Sequence, residues 1–269
     1  MRALLSPWGL LRCVVGAVYV FAMGPILITA TVSFNAVNQS RFPPVGFSLR
    51  WWQEALTPRW LGPLAFSIEL SLAAAILTVL MGFPLAYGLT RFRFPGRDAL
   101  AALTLGPLAL PALVTGIGLL QLLQLAGLGA LFGLPALLIG HLVICVPLAV
   151  RTIGVSLQSI PPTAEQAALS LGATHLRAFW EVTLPLVKNG VFAGASFAFV
   201  QSFTDYSISL FLARPGSQPI TVTILSFLEF GFAPTLAAVA VLTMVTPMVL
   251  IGVVQRFFGI GEFLYETRH

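Results

Sequence analysis

The chain has 269 residues, of which 58% are hydrophobic and only 9% charged, and its mean hydropathy is +0.95. A soluble domain carries about a quarter charged residues, so the shortfall excludes an ordinary water-soluble fold and makes lipid the solvent for most of the chain. The net charge of +5 comes from one lysine, Lys188, and dispersed arginines; a nucleic-acid surface would need them clustered among polar residues.

The first apolar run follows Arg2 and Arg12 and extends from Cys13 to about Phe34. It is longer than the roughly 7–15 residues of a cleaved signal core, so it reads as an uncleaved first span. Runs able to cross about 30 Å of hydrocarbon predict six transmembrane helices, near 13–33, 64–90, 99–125, 134–157, 190–212 and 236–258. The expected fold class is therefore an all-α integral membrane protein, with residues 1–269 forming a single domain. Pro25, Pro84, Pro111, Pro147 and Pro247 fall inside these runs and are expected to bend them without breaking their register in the bilayer.

Basic residues set the expected orientation. With a cytoplasmic N-terminus, the inside segments hold Arg2, Arg12, Arg91, Arg93, Arg97, Arg151, Arg177, Lys188, Arg256 and Arg268, and the outside segments hold only Arg41, Arg50, Arg59 and Arg214. Both termini are expected in the cytoplasm. The first outside loop, about 34–63, carries Trp51, Trp52 and Trp60. Tryptophan favours the membrane boundary, so this loop is expected to lie partly in the interface, as an anchor or as a contact for an outside partner.

The most specific segment is the inside loop 158–189. Pro161 and Pro162 end the fourth helix, and Thr163 with Gln166 three residues on is a capping box. A short helix is predicted from there to Gly172, a residue suited to a left-handed position after a helix end. Ala164, Ala167, Ala168 and Leu171 fall on one stripe. A second helical piece follows from His175 to Val182, and Pro185 marks the approach to span five. Such a capped helix with small side chains could seat in a groove of another protein, or could be a plain connector.

Other polar residues offer less. Asp205 falls in the fifth run, and a carboxylate within a membrane is costly. It could face a solute path and attract a cation, pair with Ser202 or Tyr206, or stand near the outer end of its span. Glu69 reads as interfacial, and Glu229 as solvated or in contact with an outside partner. His141 and Cys145 share a helical face and read as packing, since two ligands make no metal site. Gly190 and Gly194 form a small-xxx-small pair for close helix contact. No Ser/His/Asp constellation falls on one side of the membrane. A phosphate-binding loop needs Gly-Lys-Ser/Thr, but the only lysine stands between Val187 and Asn189. ATP-driven work by this chain would need a partner. No internal repeat of the kind seen in ion-coupled carriers is evident.

The spacing Gln166-Ala167-Ala168, three residues, Gly172, nine residues, Val182-Thr183-Leu184-Pro185 resembles the loop motif of permease subunits of binding-protein-dependent ABC importers, Glu-Ala-Ala, three residues, Gly, nine residues, Ile-x-Leu-Pro. Gln166 stands where that family has Glu, with Glu165 just before it. Gly46–Trp52, Gly82–Gly88 and Phe94–Arg97 are similar to segments of the same family, and Ser202-Phe203-Thr204-Asp205-Tyr206 resembles the second permease of its polyamine branch. The resemblance implies the type I importer transmembrane fold and a non-catalytic membrane subunit in the bacterial inner membrane. It implies coupling to a cytoplasmic P-loop ATPase dimer through Glu165, Gln166, Ala167, Ala168, Gly172, Leu184 and Pro185. It further implies a second, unlike permease subunit, a periplasmic solute-binding protein, and ATP and Mg bound by the ATPase, with no cofactor in this chain. The implied solute is a polyamine or similar cation, with Asp205, Ser202 and Tyr206 as path residues. Aminophosphonates, opines, thiamine or iron are the solutes of related permeases.

Overall fold

A computed structural model of the chain describes residues 7–161, 163–229, 231 and 233–258. Among these residues no strand forms, and twelve α-helices follow in order: α1 (Pro7–Val32), α2 (Arg50–Ala55), α3 (Pro58–Arg91), α4 (Arg97–Leu105), α5 (Ala112–Leu125), α6 (Leu134–Ser159), α7 (Thr163–Ser170), α8 (His175–Ala178), α9 (Leu184–Thr204), α10 (Ser209–Leu212), α11 (Ile220–Leu228) and α12 (Pro234–Phe258). The chain divides into two compact units, Met1–Gly62 with Thr223–Thr246, and Pro63–Val222 with Pro247–His269. Pro162, both chain termini and their basic residues Arg2 and Arg268 lie outside the described residues.

Five stretches are long and apolar enough to cross a bilayer: Leu10–Val32, Pro58–Arg91, Leu134–Ser159, His175–Thr204 and Pro234–Arg256. Four of them match expected spans closely, and His175–Thr204 overlaps the fifth, expected at 190–212. Pro25, Pro84, Pro147 and Pro247 all sit inside continuous helices.

The third expected span is different. Its residues form α4, a 3-10 turn (Gly106–Ala109) and α5, and the two helical arms meet at 107°. The break has a covalent cause. Pro107 and Pro111 each remove a backbone donor, and a residue before proline is driven out of the helical region. Leu110 accordingly sits at φ −95°, ψ 141°. At 1.5 Å per residue, α5 is only about 21 Å long, short of the hydrocarbon thickness.

The fifth span is also shifted. Helix α9 begins at Leu184 and stops at Thr204, where Asp205 turns extended (φ −66°, ψ 129°) before the short α10. Asp205 therefore stands at the end of the helix rather than inside it.

In the first unit the loop after α1 is a folded structure of its own. Asn35, fully buried, accepts from Val45 N at 2.9 Å and donates to Gln39 O at 3.0 Å, while Trp51 Nε1 donates to Asn35 O at 2.6 Å. Phe34 stacks between Phe47 and Trp52. Trp60, 2% exposed, meets Phe227 at 4.6 Å, and Arg59 lies over the same ring. Trp51 and Trp60 were expected at the lipid boundary; they instead fill the interior of this unit, Trp51 with its indole N–H bonded to Asn35 O and Trp60 packed on Phe227.

The second unit is organised around α6 and α9. A Cβ on Gly190 would stand 2.3 Å from Ser156 Cβ, and one on Gly194 would be 3.3 Å from Ile153 Cγ1. The small-xxx-small pair thus sets how closely the two helices approach. Close packing of this kind, rather than water exclusion, drives helix association where the surroundings are already apolar. Phe83, Ala86, Ala149, Val150, Ile153, Leu157, Ile160 and Val187 form the core beside it. That core ends directly under the loop.

Candidate functional site: an anchored loop helix and a buried polar cluster

Helix α6 ends at Ser159, and Ile160 is extended (φ −94°, ψ 120°), as a residue preceding proline should be. Helix α7 then runs Thr163–Ser170. Its C-terminus closes by a Schellman pair: Ala173 N donates to Ala168 O at 3.0 Å and Gly172 N to Leu169 O at 3.0 Å. This closure requires a left-handed residue, and Gly172 has φ +90°. The glycine read from the sequence as a helix stop is therefore placed where only glycine is unstrained.

The small-residue stripe expected on α7 splits. Ala164 and Ala168 are half-buried, whereas Gln166, Ala167, Ser170 and Leu171 are exposed, Leu171 by 89%. Glu165 points inward. Its carboxylate accepts from Thr183 Oγ1 at 2.6 Å and Tyr87 Oη at 3.2 Å, and faces Arg91 Nε at 3.6 Å, an ion pair longer than a hydrogen bond. Arg91 also directs Nη1 and Nη2 to Ile160 O, both at 3.2 Å. Thr183 is fully buried, so its hydroxyl has no aqueous alternative to Glu165.

A second tether is aromatic. Phe179 meets Phe83 edge-on at 5.6 Å and Tyr87 edge-on at 5.7 Å. Phe179 opens a five-residue π-helical segment, Phe179–Thr183, that runs into α9. Pro185 explains the widened turn: its ring excludes the carbonyl four residues back, and it offers no donor to it. Leu184 packs against the core beneath, while Pro185 is exposed. The loop helix is thus tied through Glu165 and Phe179 to the end of α3 and to the root of α9, with its opposite face left bare.

The second cluster lies where α9 ends. Asp205, with its side chain 3% exposed, accepts from Ile208 N at 3.2 Å, Ser209 N at 3.0 Å and Ser209 Oγ at 3.1 Å. His141, fully buried on α6, places Nδ1 2.6 Å from Ser202 Oγ and Nε2 3.0 Å from Ser209 Oγ. Ser209 gives its hydrogen to Asp205, so it can only accept from His141. That places a ring hydrogen on Nε2, and a neutral ring then accepts from Ser202 Oγ–H at Nδ1.

The fold therefore gathers serine, histidine and aspartate that the sequence scattered across separate segments. The group has no room for a substrate, with Ser202 only 3% exposed and His141 wholly enclosed. Its geometry locks the corner between α9 and α10 onto α6. The corner also enters tightly: a Cβ on Gly140 would lie 2.5 Å from Ile208 Cγ2. Tyr206 points elsewhere and is 36% exposed. Among the described residues no cluster of His, Cys, Asp and Glu is placed to hold a metal ion. Tyr87, Arg91 and Thr183 were not singled out from the sequence as parts of the loop site, and His141 was read as mere packing.

Helices long enough to span and an interior built on close helix contacts define a multi-pass membrane protein. The profile of the family described as binding-protein-dependent transport system inner membrane component matches residues 78–259. The chain belongs to that family and is a permease subunit of an ABC importer, a multi-pass protein of the inner membrane. It is 29% identical to the putrescine transport system permease protein PotI of Escherichia coli K12 over 245 residues, 88% of this chain and 85% of that one. It is also 29% identical to the spermidine/putrescine transport system permease protein PotC of the same strain over 238 residues, 87% of this chain and 88% of that one. In fold it resembles a chain of a bacterial ABC transporter involved in the import of the acidic polysaccharide alginate, with a TM-score of 0.69 at 20% identity, covering 93% of this chain and 96% of that one.

Proposed function

We propose that the exposed face of α7 is the contact through which a cytoplasmic P-loop ATPase dimer drives this permease. The observation that carries the reading is the two-sidedness of α7: Gln166, Ala167, Ser170 and Leu171 are open while Glu165 ties the other side to α3 and α9. A push on the open face then reaches two spanning helices together. Glu165 acts as a positioning residue, Ala168 lets the helix sit close to its bed, and Gly172 ends it. Leu184 and Pro185 set where α9 begins. Gln166, in place of the usual acidic residue, offers a neutral donor and acceptor to the partner.

On this reading the loop and both termini face the cytoplasm, and the chain itself is not an enzyme. ATP and Mg belong to the ATPase. A second, unlike permease completes the path, and a periplasmic protein delivers the solute. The relatives PotI and PotC support a polyamine or a similar small organic cation as that solute. Asp205 and Ser202 serve the path indirectly, by fixing the α9–α10 corner, since Asp205 is fully engaged within the chain. Tyr206 is the member of the three that offers surface.

The test is to purify the tagged chain from its native membranes, identify its companions and reconstitute them with labelled putrescine. A second multi-pass protein with a P-loop ATPase, and uptake that requires ATP, are the expected results. Recovery of this chain alone, competent for uptake without ATP, would overturn the proposal.

A further inference from the structure

Between the end of α3, α4 and α6 lies a cleft of about 230 Å³ that the coupling role does not use. Two arginines line it, Arg97 and Arg151, with Thr90 and Gln158 beside them and aliphatic walls that include Leu105 and Val150. Arg151 makes no hydrogen bond or ion pair with any described residue. It stands about 12 Å before the end of α6 at Ser159, at 1.5 Å per residue, inside a helix that is apolar enough to span. Its side chain is exposed, and with no partner of its own the guanidinium is open to a counter-charge. Arg97 donates from Nε to Leu89 O at 2.8 Å, and its one carboxylate neighbour is Asp98 at 3.3 Å, whose side chain is 95% exposed. Such a solvated pair neutralises little.

We propose that this cleft binds the headgroup phosphate of an anionic phospholipid, held between Arg97 and Arg151, with the first carbons of an acyl chain against the aliphatic wall. Three features select this occupant. Two cationic side chains border one small space. Apart from Thr90 and Gln158 the remaining wall is aliphatic, which suits an amphiphile better than a free ion. The chain lives in a bilayer, where basic pockets between spanning helices take anionic headgroups. Arg91, next to Thr90 in the chain, is already committed to Glu165 and Ile160 O, so it does not compete for the ligand. A bound headgroup would join α4 to α6 just before α6 enters the coupling loop, and would hold the short arm of the broken helix in place.

The experiment uses the protein with the companions it retains on purification. Native mass spectrometry counts phosphatidylglycerol against phosphatidylcholine of identical acyl chains, and a titration gives the affinities. Preferential retention of phosphatidylglycerol is expected. R97Q and R151Q should each weaken it about fivefold and the double variant about thirtyfold, the factors that correspond to ~1 kcal/mol per basic residue near a membrane surface. R93Q removes an exposed arginine that does not line the cleft, and should change retention by less than about twofold. Should R151Q fail to fold, R97Q, at a side chain 44% exposed, carries the same test. Equal retention of the two lipids, or equal loss in R93Q and R97Q, would overturn the proposal. So would millimolar inorganic phosphate raising the melting temperature as much as phosphatidylglycerol does, which would assign the site to free phosphate.

Discussion

Replacing Glu165 with alanine removes the carboxylate that joins α7 to α3 and to the root of α9. Its carboxylate accepts from Thr183 at 2.6 Å and from Tyr87 at 3.2 Å. A hydrogen bond to a charged acceptor contributes about 1.5–3 kcal/mol, and an orphaned buried polar group costs about 1–3 kcal/mol. Glu165 is 20% exposed and Arg91 10%, so water screens part of this, and the lower half of each range applies. E165A should therefore destabilise the fold by about 3 kcal/mol. T183V, which breaks only the shortest contact, should cost about 1.5 kcal/mol. The double variant should cost about 3 kcal/mol rather than the sum, a coupling near 1.5 kcal/mol of the size seen for residues in one network. Unfolding by SDS in mixed micelles gives these free energies. Cys145 is buried and its thiol labelling reports the transition in a Cys13→Ser background, because Cys13 is already exposed. Additivity within about 0.3 kcal/mol would refute the tether, and the argument that α7 moves α3 and α9 together would fall with it.

Gly172→Val forces a β-branched residue to φ +90°, a cost of about 1–2 kcal/mol or more. The change should frays α7 at its exposed end, leaving membrane insertion intact but separating ATP hydrolysis from uptake; unchanged uptake would contradict the role of the helix stop. Gly190→Ala places a Cβ 2.3 Å from Ser156 Cβ, so overpacking of about 1–3 kcal/mol is expected, and adding Ser156→Gly should recover most of it in the same titration. Asp205→Asn weakens the cap on α10 by about 1–2 kcal/mol. Uptake of a polyamine per folded molecule should change less than about twofold, and a large fall at equal folded amounts would return Asp205 to the solute path.

Much of this was legible in the residues, for particular reasons. Spanning helices follow from apolar length alone, and four of them appear where expected, with a fifth displaced toward the loop. The α7 stop at Gly172 and the close approach at Gly190 were readable because each depends on local chemistry, a left-handed turn in one case and a missing side chain in the other. The break at Pro107 and Pro111 was not, because hydropathy measures length and is blind to direction; α4 and α5 remain apolar on both sides of a 107° corner. The tryptophans of the first loop misled for a related reason. An indole is as suited to a small folded interior as to a lipid boundary, and only Asn35, 16 positions from Trp51, decides between them. The rotation of α7 was also hidden, since alanines on both faces leave no polarity contrast to read. Finally, His141 meets Ser202 across 61 positions and Ser209 across 68, and Glu165 meets Tyr87 across 78. Pairings at such separations have no periodic trace.

The most direct test of the coupling surface is cysteine cross-linking from single positions on α7 to the soluble subunit that copurifies, in the Cys13→Ser background. Ala167→Cys and Leu171→Cys, on the exposed face, should cross-link to a P-loop ATPase in membranes, whereas Ala164→Cys, on the half-buried face, should not. Cross-links from Ala164→Cys as strong as those from Ala167→Cys, or none from any position while ATP-driven uptake persists, would contradict the assignment of that face to the ATPase.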